Sequence, residues 1–399
     1  MFSPDINKSI NTQNNKQICE RIAAGIFIVC LIIGFALATL LSAGGDEVVS
    51  LRNILRSSYL KIFLGQLTME SNNFPGFYLI QKLICDISGY PFKEHLETLY
   101  WGWAFRDLPA SLILRIFPNV CISLAFSFMF YFFSRYYSWW TAIYSLFLAG
   151  TSYMTWIYWA DGRPYAVWYF LTTAQFFTFL RLVEDKENRK LWQWLVIINI
   201  SLCFTVVFSV LQVFLISFLL WLMVSRQWHR YIMVTVIPTI ICYLYILPIP
   251  KSFSTFFFDD KPPELISSGF SKERLLILFV FGLILLYVGV QKKTKIFDRK
   301  LLLASFPALM VTMLTLLSAI LLLFTFMLRP GPHAPVVNRY MVFLTPVAVI
   351  GTTIFSYHLI KSLRNNKTIQ IMAILILAGL MIGRIPATIS LISTHYFTN

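Results

Sequence analysis

The chain is short of charge. Asp, Glu, Lys and Arg make up 13% of its 399 residues, against about 25% in a soluble domain. Acids are the scarcer sign, 18 against 33 Lys and Arg, for a formal net charge of +15. The six cysteines (Cys19, Cys30, Cys85, Cys121, Cys203 and Cys242) include no Cys-x-x-Cys pair, which removes the zinc and dithiol motifs built on that spacing. They read as small apolar packing residues. Low-complexity tracts, internal repeats and any stretch resembling a soluble domain are also missing. What is present is apolar: 58% hydrophobic residues, with 37 Phe. That is the composition of a membrane protein, in which basic residues mark cytoplasmic loops. No nucleic-acid partner is expected.

A helix needs roughly 20 apolar residues to cross the hydrocarbon core. Candidate spans lie near 22–42, 108–133, 138–153, 164–181, 191–207, 209–224, 231–248, 274–290, 301–327, 340–360 and 369–391. The expectation is therefore an all-α polytopic membrane protein with about eleven transmembrane helices. Residues 191–224 would be about 51 Å long as one helix, and both flanks are basic, so two short spans with a turn near Ser209 are expected there. Loops carrying Arg135, Arg181, Lys186, Arg189, Arg226, Arg230, Lys292, Arg299, Lys361 and Lys367 fall on one side. These read as cytoplasmic together with the N-terminal tail. Trp139, Trp140, Trp156, Trp159, Trp192 and Trp194 sit near span ends, as an interfacial aromatic belt requires. The first span, long and preceded by a polar tail, reads as retained rather than cleaved.

The longest outside segment is then 43–107. Within it Ser50–Leu64 interleaves Leu51, Ile54, Leu55, Ile62 and Phe63 with Arg52, Arg56 and Lys61, the pattern of an interfacial helix, and Phe74–Ile87 is a second such segment. Ionisable residues near membrane depth are functional candidates. Asp46 and Glu47 follow Gly44-Gly45 at the outer end of the first span. They suit the N-terminus of the interfacial helix; equally, a carboxylate there can act as a general base toward an acceptor hydroxyl. Asp161-Gly162-Arg163-Pro164-Tyr165 precedes the fourth span. It reads either as an Asp161–Arg163 ion pair closing a loop or as a phosphate-recognition loop carried by Arg163. The last outside loop, 328–339, includes Arg329, His333, Asn338 and Arg339, followed by Tyr340. Arg339 and Tyr340 suit either interfacial anchoring or anion binding, and His333 either a plain loop position or a metal or proton role. Asp259-Asp260, after three Phe, is a weaker metal candidate.

The order of these stretches resembles the polytopic GT-C glycosyltransferases, in particular the family-39-like group that includes protein mannosyltransferases and lipid A aminoarabinose transferases. Asp46-Glu47 matches the acidic pair after that group's first span. Asn73-Phe74-Pro75-Gly76-Phe77-Tyr78-Leu79 resembles its His-Pro-Pro-Leu-Tyr segment without the His and one Pro. Arg106-Asp107-Leu108-Pro109-Ala110-Ser111 and Arg115-Ile116-Phe117-Pro118 compete for its Arg-Leu-Pro-Ser segment. Asp161–Ala166 resembles Glu-Ala-Arg-Pro-Tyr-Ala, and Asn338-Arg339-Tyr340 with Pro346 resembles the late Arg-Tyr segment. The sixth span offers Ser209 and Gln212 where relatives often place a His.

The resemblance implies one GT-C-like transmembrane domain over 1–399 and inverting transfer of a sugar from a polyprenyl-phosphate donor to a hydroxyl on a lipid, glycan or protein acceptor. It implies Asp46 and Glu47 as the catalytic pair, Asp46 the base. Arg163, Arg339 and Tyr340 would bind the donor phosphate, with Asp161, Tyr165 and His333 in support. A divalent metal ion is the one cofactor it raises, and the missing histidines leave that open. The expected setting is a multi-pass protein of a bacterial inner or plasma membrane, N-terminus cytoplasmic and site on the outer face. A lipid-linked saccharide flippase and a polysaccharide polymerase or ligase are the alternatives.

Overall fold

The computed structural model describes residues 9–41, 45–64, 75–92, 108–206, 208–224, 230, 232–246, 266, 269–290, 297–327, 341–363 and 366–397. Among these residues the chain is helix and connecting turn, without a strand. The helices are α1 (Ser9–Leu40), α2 (Gly45–Arg56), α3 (Tyr59–Phe63), α4 (Pro75–Ser88), α5 (Leu108–Tyr136), α6 (Trp139–Gly150), α7 (Tyr153–Trp159) and α8 (Tyr165–Glu184). Then come α9 (Arg189–Cys203), α10 (Ser209–Met223), a π-helical turn (Ile232–Val236) running into α11 (Ile237–Ile246), and α12 (Lys272–Val290). The rest are α13 (Arg299–Leu303), α14 (Phe306–Met327), α15 (Leu344–Ser362), α16 (Lys367–Ile382) and α17 (Ile385–Phe397). Every apolar stretch picked out in the sequence carries helix. Among the described residues four segments are long and apolar enough to cross a membrane: Lys16–Leu40, Leu108–Tyr136, Tyr165–Glu184 and Lys367–Tyr396.

α1 lies along α5, and small groups set how close they come. A Cβ on Gly34 would sit 2.8 Å from Trp159 Nε1 and 2.9 Å from Asn119 Cγ, the use of small residues expected where helices pack inside a bilayer. Trp159 is thus buried, 2% exposed, and does not belong to the interfacial belt where the sequence placed it; its ring lies against Phe126 of α5. On the far side of α5, Phe132 stacks on Phe177 of α8 with ring centroids 3.9 Å apart. α15 is the most enclosed helix: residues 341–356 are all buried, against α6, α8 and α14.

Pro118 lies inside α5. Having no N–H, it leaves the Leu114 carbonyl, four residues back, without its helical donor. Gln81 of α4 supplies one: its Nε2 donates to Leu114 O at 2.7 Å. One proline thereby explains both a fully buried glutamine and the seat of α4. The buried face of α4 runs Phe77, Tyr78, Gln81 and Cys85, the spacing of an amphipathic helix. The first of the two expected interfacial segments is broken in two, α2 and α3, where Ser58 starts a new helix by accepting from Lys61 N–H.

The helical hairpin expected at 191–224 is present as α9 and α10. Ser209 Oγ donates to the carbonyls of Leu202 and Val206, which closes the turn without Gly or Pro. Each arm is about 22 Å long, short of a core roughly 30 Å thick. The tip is covered by α4, whose Gly76 N–H donates to Phe204 O at 3.0 Å. Behind the hairpin runs a buried polar chain. Trp168 Nε1 donates to Gln212 Oε1 at 3.1 Å, Gln212 Nε2 to Gln175 Oε1 at 2.8 Å, Gln175 Nε2 to Asn199 Oδ1 at 2.7 Å, and Asn199 Nδ2 to Val234 O at 2.9 Å. Its amide N–H groups find protein acceptors, so the chain acts as interhelical glue.

The described residues of the basic loops gather at one end. Arg181 lies 4.2 Å over the Tyr136 ring. Arg230 donates to Lys186 O at 3.1 Å and Glu187 Oε2 at 2.6 Å. Asp298 N–H donates to Ser362 O at 3.1 Å, and Tyr137 meets Tyr357 edge-on. This is the basic end of the bundle; the last turn of α1, the first turn of α2 and the 160–164 loop lie at the other.

Candidate functional site

α1 stops at Leu40 and leaves unpaired carbonyls, as every helix does at its C-terminus. Arg115, from the second turn of α5, fills that need: its Nη1 donates to Ala38 O at 3.0 Å and Leu41 O at 2.7 Å. The rest of the guanidinium faces Glu47 in the first turn of α2. Nε donates to Oε1 at 3.1 Å and Nη2 to Oε2 at 2.7 Å. This is the bidentate geometry in which Arg and carboxylate match best. The Arg115 side chain is 1% exposed and that of Glu47 9%, so the pair is sealed from water.

Glu47 also reaches a third segment. Gly162 N–H donates to Glu47 Oε1 at 2.5 Å, and a Cβ on Gly162 would stand 2.9 Å from the same oxygen. Only glycine fits without moving the carboxylate. One buried carboxylate thus ties α2, α5 and the 160–164 loop together. That loop presents Arg163, 8% exposed, with its guanidinium 5.5 Å from the Tyr165 ring centroid. Asp161 beside it is half-buried. Tyr165, at the start of α8, is buried against Tyr158, with ring centroids 5.1 Å apart. One turn on, Trp168 stacks on Phe343 at 4.9 Å; the chain leading into α15 therefore meets α8 beside this loop.

Of the residues named from sequence, the structure brings together Glu47, Asp161, Arg163 and Tyr165. Asp46 lies in the first turn of α2, and its side chain is outside what is described. Arg339, Tyr340, His333, Asp259 and Asp260 also lie outside the described residues.

Other charged residues emerge at the same end. Arg274 of α12, 2% exposed, donates through Nη2 to Leu148 O at 2.6 Å and to Ser152 Oγ at 2.7 Å. Arg384, between α16 and α17, donates to Thr151 O at 2.9 Å through Nη2 and to Glu273 Oε2 at 2.6 Å through Nη1. Both fasten the turn between α6 and α7, which leads into the 160–164 loop. α17 comes back to the site: Tyr396 OH donates to Trp156 O, and His395 lies within electrostatic reach of Arg115 and Glu47. Arg384 interrupts an apolar run, a signal visible in the sequence; His395 carries none.

Among the described residues no three His, Cys, Asp or Glu side chains come together in a way that would hold a metal ion. Both oxygens of Glu47 are taken by Arg115 and one also by Gly162 N–H, so this carboxylate is not open to a divalent cation. No family model and no curated protein matches the chain.

Proposed function

We propose that the chain is a membrane glycosyltransferase of the GT-C kind, moving a sugar from a polyprenyl-phosphate donor to a hydroxyl acceptor at the Glu47 end of the bundle. In this reading about eleven helices span the bilayer, and the basic end faces the cytoplasm. The observation that carries it is the Glu47 carboxylate. It joins the three segments whose motifs resemble that family: the acidic pair, an Arg-x-x-Pro stretch at Arg115, and the 161–166 loop. Arg115 rather than Arg106 then takes the part of the family's Arg-Leu-Pro-Ser arginine.

In this reading the acidic pair has divided roles. Glu47, occupied on both oxygens, is a positioning residue. Asp46, its neighbour in the same helical turn, is the base. As the acceptor hydroxyl attacks the anomeric carbon, its proton passes to the Asp46 carboxylate. The new carbon–oxygen bond forms as the bond from the sugar to phosphate breaks. The electron pair leaves on the phosphate, which Arg163 and Arg339 neutralise. Attack opposite the leaving group inverts the anomeric centre.

The test is release of polyprenyl phosphate from radiolabelled polyprenyl-phosphate sugars by the purified protein. Arg163→Ala should lower turnover about 100- to 1,000-fold, the loss seen when one preorganised charge-stabilising donor is removed, and Asp46→Asn about 100- to 10,000-fold. Undiminished turnover in Asp46→Asn would remove Asp46 from the role of base. Movement of intact lipid-linked sugar across vesicles without its consumption would point instead to a flippase.

A further inference from the structure

At the opposite end, α16 stands away from the bundle. It is a neighbour of α15, yet among its described side chains only Leu377 is buried. The space between α6, α15 and α16 is a groove of about 760 Å³. Its walls are apolar along Ile374, Leu377 and Met381 of α16, and its mouth is polar, with Ser138, Gln370 and Lys361.

Three features say what fits there. The first is charge. Lys361 Nζ donates to Tyr357 OH at 3.1 Å, and an ammonium has two further N–H donors to offer. Among the described residues no carboxylate pairs with Lys361, and Lys367 stands exposed on the next helix. The second is length. Gln370 to Met381 rises about 16 Å along α16, close to half of a core roughly 30 Å thick, so the groove has the depth of one leaflet. The third is position. The mouth lies beside Tyr137 and Tyr357 at the basic end, with Trp140 there 80% exposed, as aromatic side chains at headgroup depth are.

We infer that this groove is a binding site for one anionic phospholipid of the leaflet at the basic end. Lys361 holds the headgroup phosphate, and an acyl chain fills the space between α6, α15 and α16. The site lies at the other end of the molecule from Glu47 and depends on the chain spanning a membrane, not on the transferase reading.

Native mass spectrometry of the full-length protein, titrated with phosphatidylglycerol or phosphatidylcholine, tests it. The unaltered protein should retain one phosphatidylglycerol in about fivefold preference to phosphatidylcholine, the effect of one basic residue at a headgroup. Lys361→Gln should abolish the preference while both lipids still bind. Ala378→Trp, which fills the groove, should lose both, and Leu375→Trp, which is not part of its wall, should lose neither. Thermal unfolding of each variant confirms that α16 remains in place. Equal retention of the two lipids by the unaltered protein overturns the inference, as does an undiminished preference in Lys361→Gln or lipid retained by Ala378→Trp. A dimer that Ala378→Trp dissociates would give the groove to a second copy of the chain instead.

Discussion

Two ion pairs of nearly equal length stand at opposite ends of this molecule. Arg115 meets Glu47 at 2.7 Å and Arg230 meets Glu187 at 2.6 Å. Their surroundings differ. The first pair is almost wholly enclosed; in the second, the Glu187 side chain is 73% exposed. Distance alone would rank them together. Burial separates them, because a charge removed from water depends on its partner, whereas an exposed pair exchanges one set of polar contacts for another. The enclosed pair also has its spare valences occupied, by the carbonyls of Ala38 and Leu41 and by Gly162 N–H. The exposed pair fastens a loop; the enclosed pair organises a site.

The sharpest way to break the comparison is to remove one enclosed partner. Arg115→Met leaves a buried carboxylate and two stranded carbonyls, and should cost about 3–5 kcal/mol, read by thermal unfolding in detergent. Arg115→Met combined with Glu47→Leu should recover much of that stability yet stay inactive, since the 160–164 loop loses its anchor. If the double variant regains turnover, the pair serves folding alone. Next in size is Gly162→Ala. Its methyl would push against a carboxylate that Arg115 holds in place, with an expected loss of about 1–3 kcal/mol and a larger fall in turnover than in stability. Gln212→Leu tests whether a neutral buried network matches a charged one: it should cost about 0.6–1.7 kcal/mol and leave turnover nearly intact.

The smallest effect is expected at the exposed pair, where Glu187→Gln should leave the unfolding temperature at pH 7 unchanged within error. The hydrogen bond and charge of Arg230 hold the Glu187 carboxyl below its usual range. What the pair contributes is therefore present above the ordinary carboxylate pKa and lost as pH falls through the lowered value. Any difference between the parent and Glu187→Gln should vanish on acidification, and with added salt. A large difference at neutral pH would erase the contrast between the two ends.

The sequence was informative wherever a property depended on neighbours along the chain. Apolar runs gave the helices, and excess length with basic flanks gave the α9–α10 hairpin before any turn residue could. The apolar spacing of Phe74–Ile87 gave α4. Partners far apart were not legible. Nothing near Glu47 points to Arg115, 68 residues on, and two arginines competed for that position. Gln81 lies in a segment read as interfacial, and its burial was not legible because the carbonyl it serves is freed by a proline in another helix. Trp159 looked like a belt residue because its burial depends on Gly34. The Asp161–Arg163 loop was recognised, but not its anchor, which is a backbone N–H and so the same for any residue except proline.

The tie between Tyr396 and Trp156 spans 240 residues, and that between Glu47 and Gly162 spans 115. Contacts of such separation form late, because the loops they close must first surrender their freedom. Synthesis delivers the N-terminal partners first. Glu47 and Arg115, 68 residues apart, are therefore both made long before Tyr396 of α17 reaches Trp156. Their bidentate pairing gives each charge a partner while the later helices are still being added.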